Sequence, residues 1–291
     1  MTFQDYLRQK GVSASTLKTY QRGLLIFSTW RKKRGIAAHK IEYVDLLDFL
    51  AYCQDQAFSL SYTNQLLNIL RHYFTYLKAA GITEQNPARD LHLRGTRTTV
   101  AHGLLKAEEL QRIFHQYRVN SPVRTRNKVI LGMMIFQGLG KGALERMQIK
   151  HLDLAQTTVY VTKDRKSNAR TIPLEAVQVE SLIRYLSEER SFLLSNETPN
   201  DLAGRLFVTQ GSTPNLGNVI AKMLQQLKKR ELALQSAKQL RQSRISIWIK
   251  RYGLRKAQYL AGHRYVSSTE RYSMGELEQL QKQIGELHPL G

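Results

Sequence analysis

Cysteine, acidic residues and long apolar runs are what this chain has least of. Cys53 is its single cysteine, which excludes an internal disulfide and any cysteine-based zinc site. No apolar run reaches the ~18 residues of a membrane-spanning helix, and the N-terminus shows no signal-peptide pattern. A cytoplasmic setting with no membrane partner is therefore expected. Acids number 23 against 44 Lys plus Arg, which leaves a net charge of +21 and a pI near 10.1. Scattered solvated charge does not produce an imbalance of this size. A polyanionic partner accounts for it, and in DNA-containing cytoplasm that partner is nucleic acid. No carboxylate cluster and no His/Cys spacing points to a metal, and no cofactor is implied.

Against those absences stand 291 residues, 42% of them hydrophobic, enough for real cores and too many for one small one. Two domains are expected, mainly α with a small β-sheet. The stretch "SASTLKTYQRGLLIFSTWRKKRG" offers an N-cap at Ser13 or Ser15 and then sets Leu17, Tyr20, Leu24, Phe27 and Trp30 at three- and four-residue steps. "IEYVDLLDFLAYCQ" and "LSYTNQLLNILRHYFTYLKAAG" repeat the pattern. The polar faces of these helices carry Arg31, Lys32, Lys33 and Arg34, then Arg71 and Lys78, as candidate contacts to a polyanion. Asn86-Pro87 stops the last of them. The first domain is thus expected over 1–92, with a Gly-, Thr- and Arg-containing linker over 93–103.

The second domain, 104–291, opens with the helical patterns "KAEELQRIFHQY" and "NKVILGMMIFQGLG", the latter too apolar for anything but a core. The period then shortens to two. "TTVYVTKDRKSNARTIPL" alternates Val159 and Val161 with polar neighbours and turns at Ser167-Asn168, which predicts a β-hairpin with a basic tip. Helices are expected again over 174–192 and 215–235.

Between Leu232 and Thr269 the chain has eight Lys or Arg and no acid. "KQLRQSRISIWIKRYG" is nonetheless partly core, through Leu240, Ile245, Ile247, Trp248 and Ile249. Arg241 near the start of this helix, with Lys238 one turn earlier, suits a phosphate held against main-chain N–H groups. Arg244, and Arg165 on the hairpin, are further candidate contacts to DNA. Downstream, "LAGHRYVSSTERYSM" places His263 nine residues before Tyr272. Tyr272 reads either as an amphipathic side chain at a helix start or as a phenol nucleophile. Phosphoryl transfer to a phenol needs a nucleophile, cations on the non-bridging oxygens and an acid for the leaving oxygen. Tyr272 can supply the first, Arg241, Lys238 and His263 the second, and Lys166 at the hairpin tip the third.

This order of elements resembles the tyrosine recombinase (phage integrase, Xer-like) family, over residues 1 to about 275. The most specific piece is "LAGHRYVSSTERY", similar to the family's "LGH…T…Y". "KQLRQS" resembles its "H-x-L-R-H-S" box, with Arg241 in the place of the second catalytic arginine and Lys238 where histidine is commonest. The hairpin lysine falls at Lys166, with Lys163 as the alternative. The resemblance implies a helical core-binding domain, a catalytic domain and cleavage of double-stranded DNA through a 3′-phosphotyrosine. It also implies a homotetramer on two duplexes, as in the integration systems of mobile elements.

One box departs from the family. "QGLGKGALERMQIKHLDL" puts Gly140 where the resemblance expects the first catalytic arginine and Ala143 at the acidic position after it. Lys141, Arg146, Arg165 and Arg170 are candidates to refill the charge. This departure keeps a rival open, a DNA-binding accessory or architectural relative without catalysis. A second rival is a topoisomerase of the same chemistry. In the tail, Leu277, Leu280, Ile284 and Leu287 share one face, which either packs at home or reaches a neighbouring protomer, as the family's C-terminal helix does.

Overall fold

Helices of the N-terminal part begin where a side chain can receive an otherwise unpaired N–H. Thr2 and Asp5 form a capping box at α1 (Phe3–Gln9), Ser13 caps α2 (Ala14–Lys33), and Ser59 caps α4 (Leu60–Ala79). At α3 (Tyr43–Asp55) the Asp45 carboxylate reaches back to the Glu42 N–H at 2.8 Å. Phe27 and Trp30 of α2, Leu46, Phe49 and Cys53 of α3, and Leu66, Leu67, Leu70 and Phe74 of α4 form one core. Phe49 packs edge-on to Phe27 with ring centroids 5.2 Å apart. Of the stripe expected on α2, Phe27 and Trp30 are buried and Tyr20 and Leu24 pack partly buried against the same core.

The computed structural model describes residues 1–93, 103–194, 204–209 and 215–272. The chain divides into two units, Met1–Thr98 and Thr99–Gly291. Most of the expected linker and the apolar stripe at Leu277, Leu280, Ile284 and Leu287 lie outside the described residues.

In the second unit, α5 (Ala107–His115) packs on α6 (Pro122–Phe136), which is buried along most of its length. Gln137, just past α6, exchanges amide hydrogen bonds with Gln178 at 3.0 and 3.1 Å and donates to the Pro173 carbonyl at 3.0 Å. Buried and fully paired, this amide couple fixes where the chain leaves α6 for Gly138–Gly140 and α7 (Lys141–Arg146).

Strands β1 (Leu152–Asp153), β2 (Thr158–Val161) and β3 (Arg170–Pro173) form an antiparallel sheet in that order. Val159 pairs Ile172 and Val161 pairs Arg170. Val159, Val161 and Ile172 face the core while Tyr160 is exposed. The expected turn through Ser167-Asn168 lies within a connection over 162–169. Asp164 organises it: its Oδ1 accepts the backbone N–H groups of Lys166 at 2.7 Å and Ser167 at 2.8 Å.

After the sheet, α8 (Ala176–Arg184) runs into a π-helical turn, Tyr185–Glu189, and α9 spans Leu216–Lys228. The helical run α10 (Ala237–Ala261) starts at the Ser236 cap and is broken at Gly253, whose φ of 78° and ψ of 169° no helix contains. Residues 267–272 are helical again.

Candidate active site

Arg241 lies in the second turn of α10, half-buried, and ties three segments together. Its Nη1 donates to the Gly138 carbonyl at 2.5 Å and its Nη2 to the Ala261 carbonyl at 2.8 Å. The same Nη2 is 3.4 Å from His263 Nε2. A guanidinium can only donate, so Nε2 accepts, and the neutral ring carries its proton on Nδ1. That nitrogen is 2.9 Å from the hydroxyl of Thr269, a fully buried side chain. The Tyr272 ring stacks on His263 with centroids 6.0 Å apart and planes 15° from parallel.

The turn that delivers His263 needs a glycine. Gly262 has φ 71°, a left-handed helix C-cap, and a Cβ there would run into the Arg170 guanidinium. Arg170, 4% exposed, donates from Nε to the Leu260 carbonyl at 2.7 Å. Consecutive carbonyls, 260 and 261, therefore hold the two arginines side by side. Burial, with the charge of Arg241 beside it, lowers the Arg170 pKa to about 10, which leaves it cationic at neutral pH. Burial and the charges of Arg241, Arg170 and Arg271 press His263 down to about 4. His263 was expected as a cation on the phosphate oxygens; burial first, and then the arginine charges around it, favour the neutral ring in this fold.

The hairpin loop reaches the same place. Ser167 bridges His263 in antiparallel fashion, and the Asn168 N–H donates to the Gly262 carbonyl at 2.9 Å. Lys166 is thus one residue from the backbone paired with His263, and its side chain is exposed, as is that of Lys163. Lys238 is exposed one turn before Arg241 and has no hydrogen bond or ion pair among the described residues.

Gly140 is the N-cap of α7, with an ordinary extended φ of −90°, and a Cβ built on it meets nothing within 4 Å. Of the candidates to refill its charge, Lys141 pairs with Glu145 at 3.5 Å and Arg146 with Asp164 at 2.6 Å. Arg165 is exposed on the loop. Only Arg170 is held directly beside Arg241.

Four arginines read as DNA contacts also have partners within the chain, and of these Arg244 alone is buried while Arg34 stays exposed. Arg244, 8% exposed, donates to the Ile135 carbonyl at 2.7 Å and lies over the Phe136 ring, so the burial of that helix face removes it from the surface. In the N-terminal unit Arg31 donates to the Ile36 carbonyl at 2.6 Å. Arg71 donates to the Leu91 carbonyl at 2.8 Å and meets His92 at 3.1 Å, and Arg34 pairs with Asp48 at 2.6 Å. Lys32, Lys33 and Lys78 remain exposed. Sequence reasoning missed two residues of the site. Thr269 stood in the quoted stretch without a role, and Asp164 was one acid in a basic run.

Among the described residues no group of three or more His, Cys, Asp or Glu is placed to hold a metal. None of the described helices is long and apolar enough to cross a membrane.

The chain matches the phage integrase family over residues 103–276 and the phage integrase N-terminal SAM-like domain over residues 1–81. It is 28% identical over 296 residues to the tyrosine recombinase XerC of Oceanobacillus iheyensis, covering 99% of this chain and 95% of that protein. To the tyrosine recombinase XerD of Ralstonia nicotianae it is 25% identical, covering 97% and 91%. Its fold is similar to that of the XerH site-specific recombinase bound to difH substrate, with TM-score 0.70 and 21% identity over 91% of this chain and 79% of that one. It is also similar to the Tn1549 transposon integrase in complex with a circular intermediate DNA, with TM-score 0.69 and 14% identity over 95% and 98%. The chain belongs to the phage integrase family, the tyrosine-type site-specific recombinases.

Proposed function

We propose that Tyr272 is the nucleophile with which this recombinase cuts and rejoins DNA. Its phenol oxygen attacks the phosphorus of a backbone phosphodiester, the new O–P bond forms as the bond to O5′ breaks, and the phenol proton leaves to water. The strand is left as a 3′-phosphotyrosine, and O5′ departs as a hydroxyl with a proton from Lys166. Arg241 and Lys238 hold the non-bridging oxygens, and the neutral His263 ring is a hydrogen-bonding partner rather than a standing charge. Rejoining to a second strand requires a second site, which a tetramer on two duplexes supplies. The exposed Lys32, Lys33 and Lys78 suit phosphate contacts, whose binding falls steeply with salt.

The observation that carries this reading is the stacking of Tyr272 on His263, whose ring is in turn held by Arg241 within the same chain. The test is covalent trapping on a nicked duplex whose short 5′-fragment escapes after cleavage, with the target first sought in DNA flanking the encoding gene. A denaturation-resistant adduct that disappears in Tyr272→Phe is expected. One feature favours the second reading, a DNA-binding relative without catalysis: the glycine at position 140. Tight binding to the same DNA with no adduct would decide for it.

A further inference from the structure

Asp164 is the meeting point of three segments that border the site. One carboxylate oxygen holds the Lys166 and Ser167 N–H groups. The other accepts from Arg146 Nη2 at 2.6 Å. Its backbone carbonyl accepts from Arg264, next to His263, at 3.0 Å, and its N–H donates to the Ser167 carbonyl at 2.9 Å. A carboxylate gripped on both oxygens has a single orientation. The loop that carries Lys163 and Lys166 is therefore referenced to α7, through Arg146, as well as to the His263 turn.

Charge gives the same pair a second consequence. Asp164 lies close enough to Arg241 and Arg170 to interact electrostatically with both. An unpaired carboxylate there would oppose an arriving phosphate, and Arg146 offsets it. Arg146 also sits six residues along from Gly140, at the far end of the same short helix. In this chain α7 thus directs its cation at the lysine loop.

We propose that Arg146 and Asp164 are a positioning pair that fixes the loop bearing the general acid against the scissile phosphate. The proposal rests on the reading that a lysine of this loop protonates the leaving oxygen. Without Arg146 the carboxylate is free to turn, its grip on the two N–H groups loosens, and the ammonium group is no longer held where O5′ departs. Misplacing a catalytic group by about 1 Å costs on the order of 100-fold.

The experiment compares two leaving groups in single-turnover cleavage of a nicked duplex. One substrate has the natural oxygen at the scissile 5′ position, the other a bridging sulfur. A thiolate, whose conjugate acid has a pKa of about 8.5, departs without a proton, whereas an alkoxide needs one. Arg146→Ala is expected to slow the oxygen substrate about 10- to 100-fold and the sulfur substrate hardly at all, with DNA affinity unchanged. Arg146→Lys should recover part of the loss. Equal slowing of both substrates by Arg146→Ala, or no slowing of the oxygen substrate, overturns the proposal. Lys166→Ala and Lys163→Ala run beside it. If sulfur rescues neither lysine variant, the general-acid reading itself fails and the pair's role falls with it. Rescue of Lys163→Ala alone moves the acid to the other lysine of the same loop and leaves the pair's role standing.

Discussion

Arg241 enters the site from α10 with its guanidinium spanning the Gly138 and Ala261 carbonyls and touching His263. Gly140, two residues beyond the carbonyl that Arg241 grips, has open space where a side chain would stand. The two positions are the halves of one phosphate clamp by resemblance, and they differ in how much of the fold depends on them. Arg241 holds the 138 loop, the end of α10 and the histidine in register, so losing it disturbs both charge and geometry. Position 140 carries only a helix N-cap with no side-chain hydrogen bond, at a φ of −90° open to residues other than glycine. An arginine can thus be lost from the second half at little cost to folding. Positive charge stays nearby, because Arg170 is buried against Leu260 beside Arg241.

The largest effect should come from the fixed half. Arg241→Ala is expected to lower single-turnover cleavage by about 100- to 1000-fold, as removal of a preorganised oxyanion donor typically does. A loss under tenfold would show that Arg170 and Lys238 can hold the phosphate without it. Gly262→Ala should follow, through stability rather than chemistry. The left-handed backbone alone costs about 1–2 kcal/mol, and the added methyl meets the Arg170 guanidinium. Thermal unfolding should show a lower Tm. Combining it with Arg170→Ala should cost less than the two single losses added together, by at least about 0.5 kcal/mol. Simple additivity would mean that the arginine does not crowd that turn.

Gly140→Arg probes the other half. The extended φ and free space around the cap admit the side chain. Retained DNA binding is expected, with cleavage raised about tenfold, short of the ~100-fold that a preorganised donor can contribute. An unchanged rate would mean that Arg170 already supplies the missing charge. Lost binding would mean that this segment does not face DNA.

How much of this could be read from residues alone follows the same division. Helices with caps and a 3.6-residue stripe, such as α2 behind Ser13 with Phe27 and Trp30 inside, announce themselves, because local propensity and burial agree. The order Lys166, Arg241, His263, Tyr272 was legible as a motif. The fate of individual arginines was not. Arg244 and Arg71 read as surface charge because sequence shows the charge and hides the carbonyl that receives it. Arg170 looked like one of several interchangeable cations until the 260–262 turn closed around it. The length of the connection through Ser167-Asn168 was hidden for a related reason: Asp164 receives two of its N–H groups, and nothing in the alternation of β2 reveals that.

The smallest effect is a proton. His263 is surrounded by Arg241, Arg170 and Arg271, with Thr269 on Nδ1 and Tyr272 on its face. Its pKa stands at about 4 against an ordinary 6.5. Between those values the unfolded chain binds the proton and the folded one does not, so this residue's contribution to stability is complete above 6.5 and is lost as the pH falls towards 4. A bound phosphodiester offsets the arginine charges but not the burial that is the larger cause of the shift, so DNA binding should raise the pKa and take up part of a proton within that window. Calorimetry at about pH 5.5, in two buffers of different ionisation enthalpy, should therefore register net proton uptake on binding. The uptake should vanish in His263→Gln and shrink in Gly140→Arg, where a new guanidinium shares the phosphate. Uptake that persists in His263→Gln would assign the proton to another group and leave His263 outside the phosphate's reach.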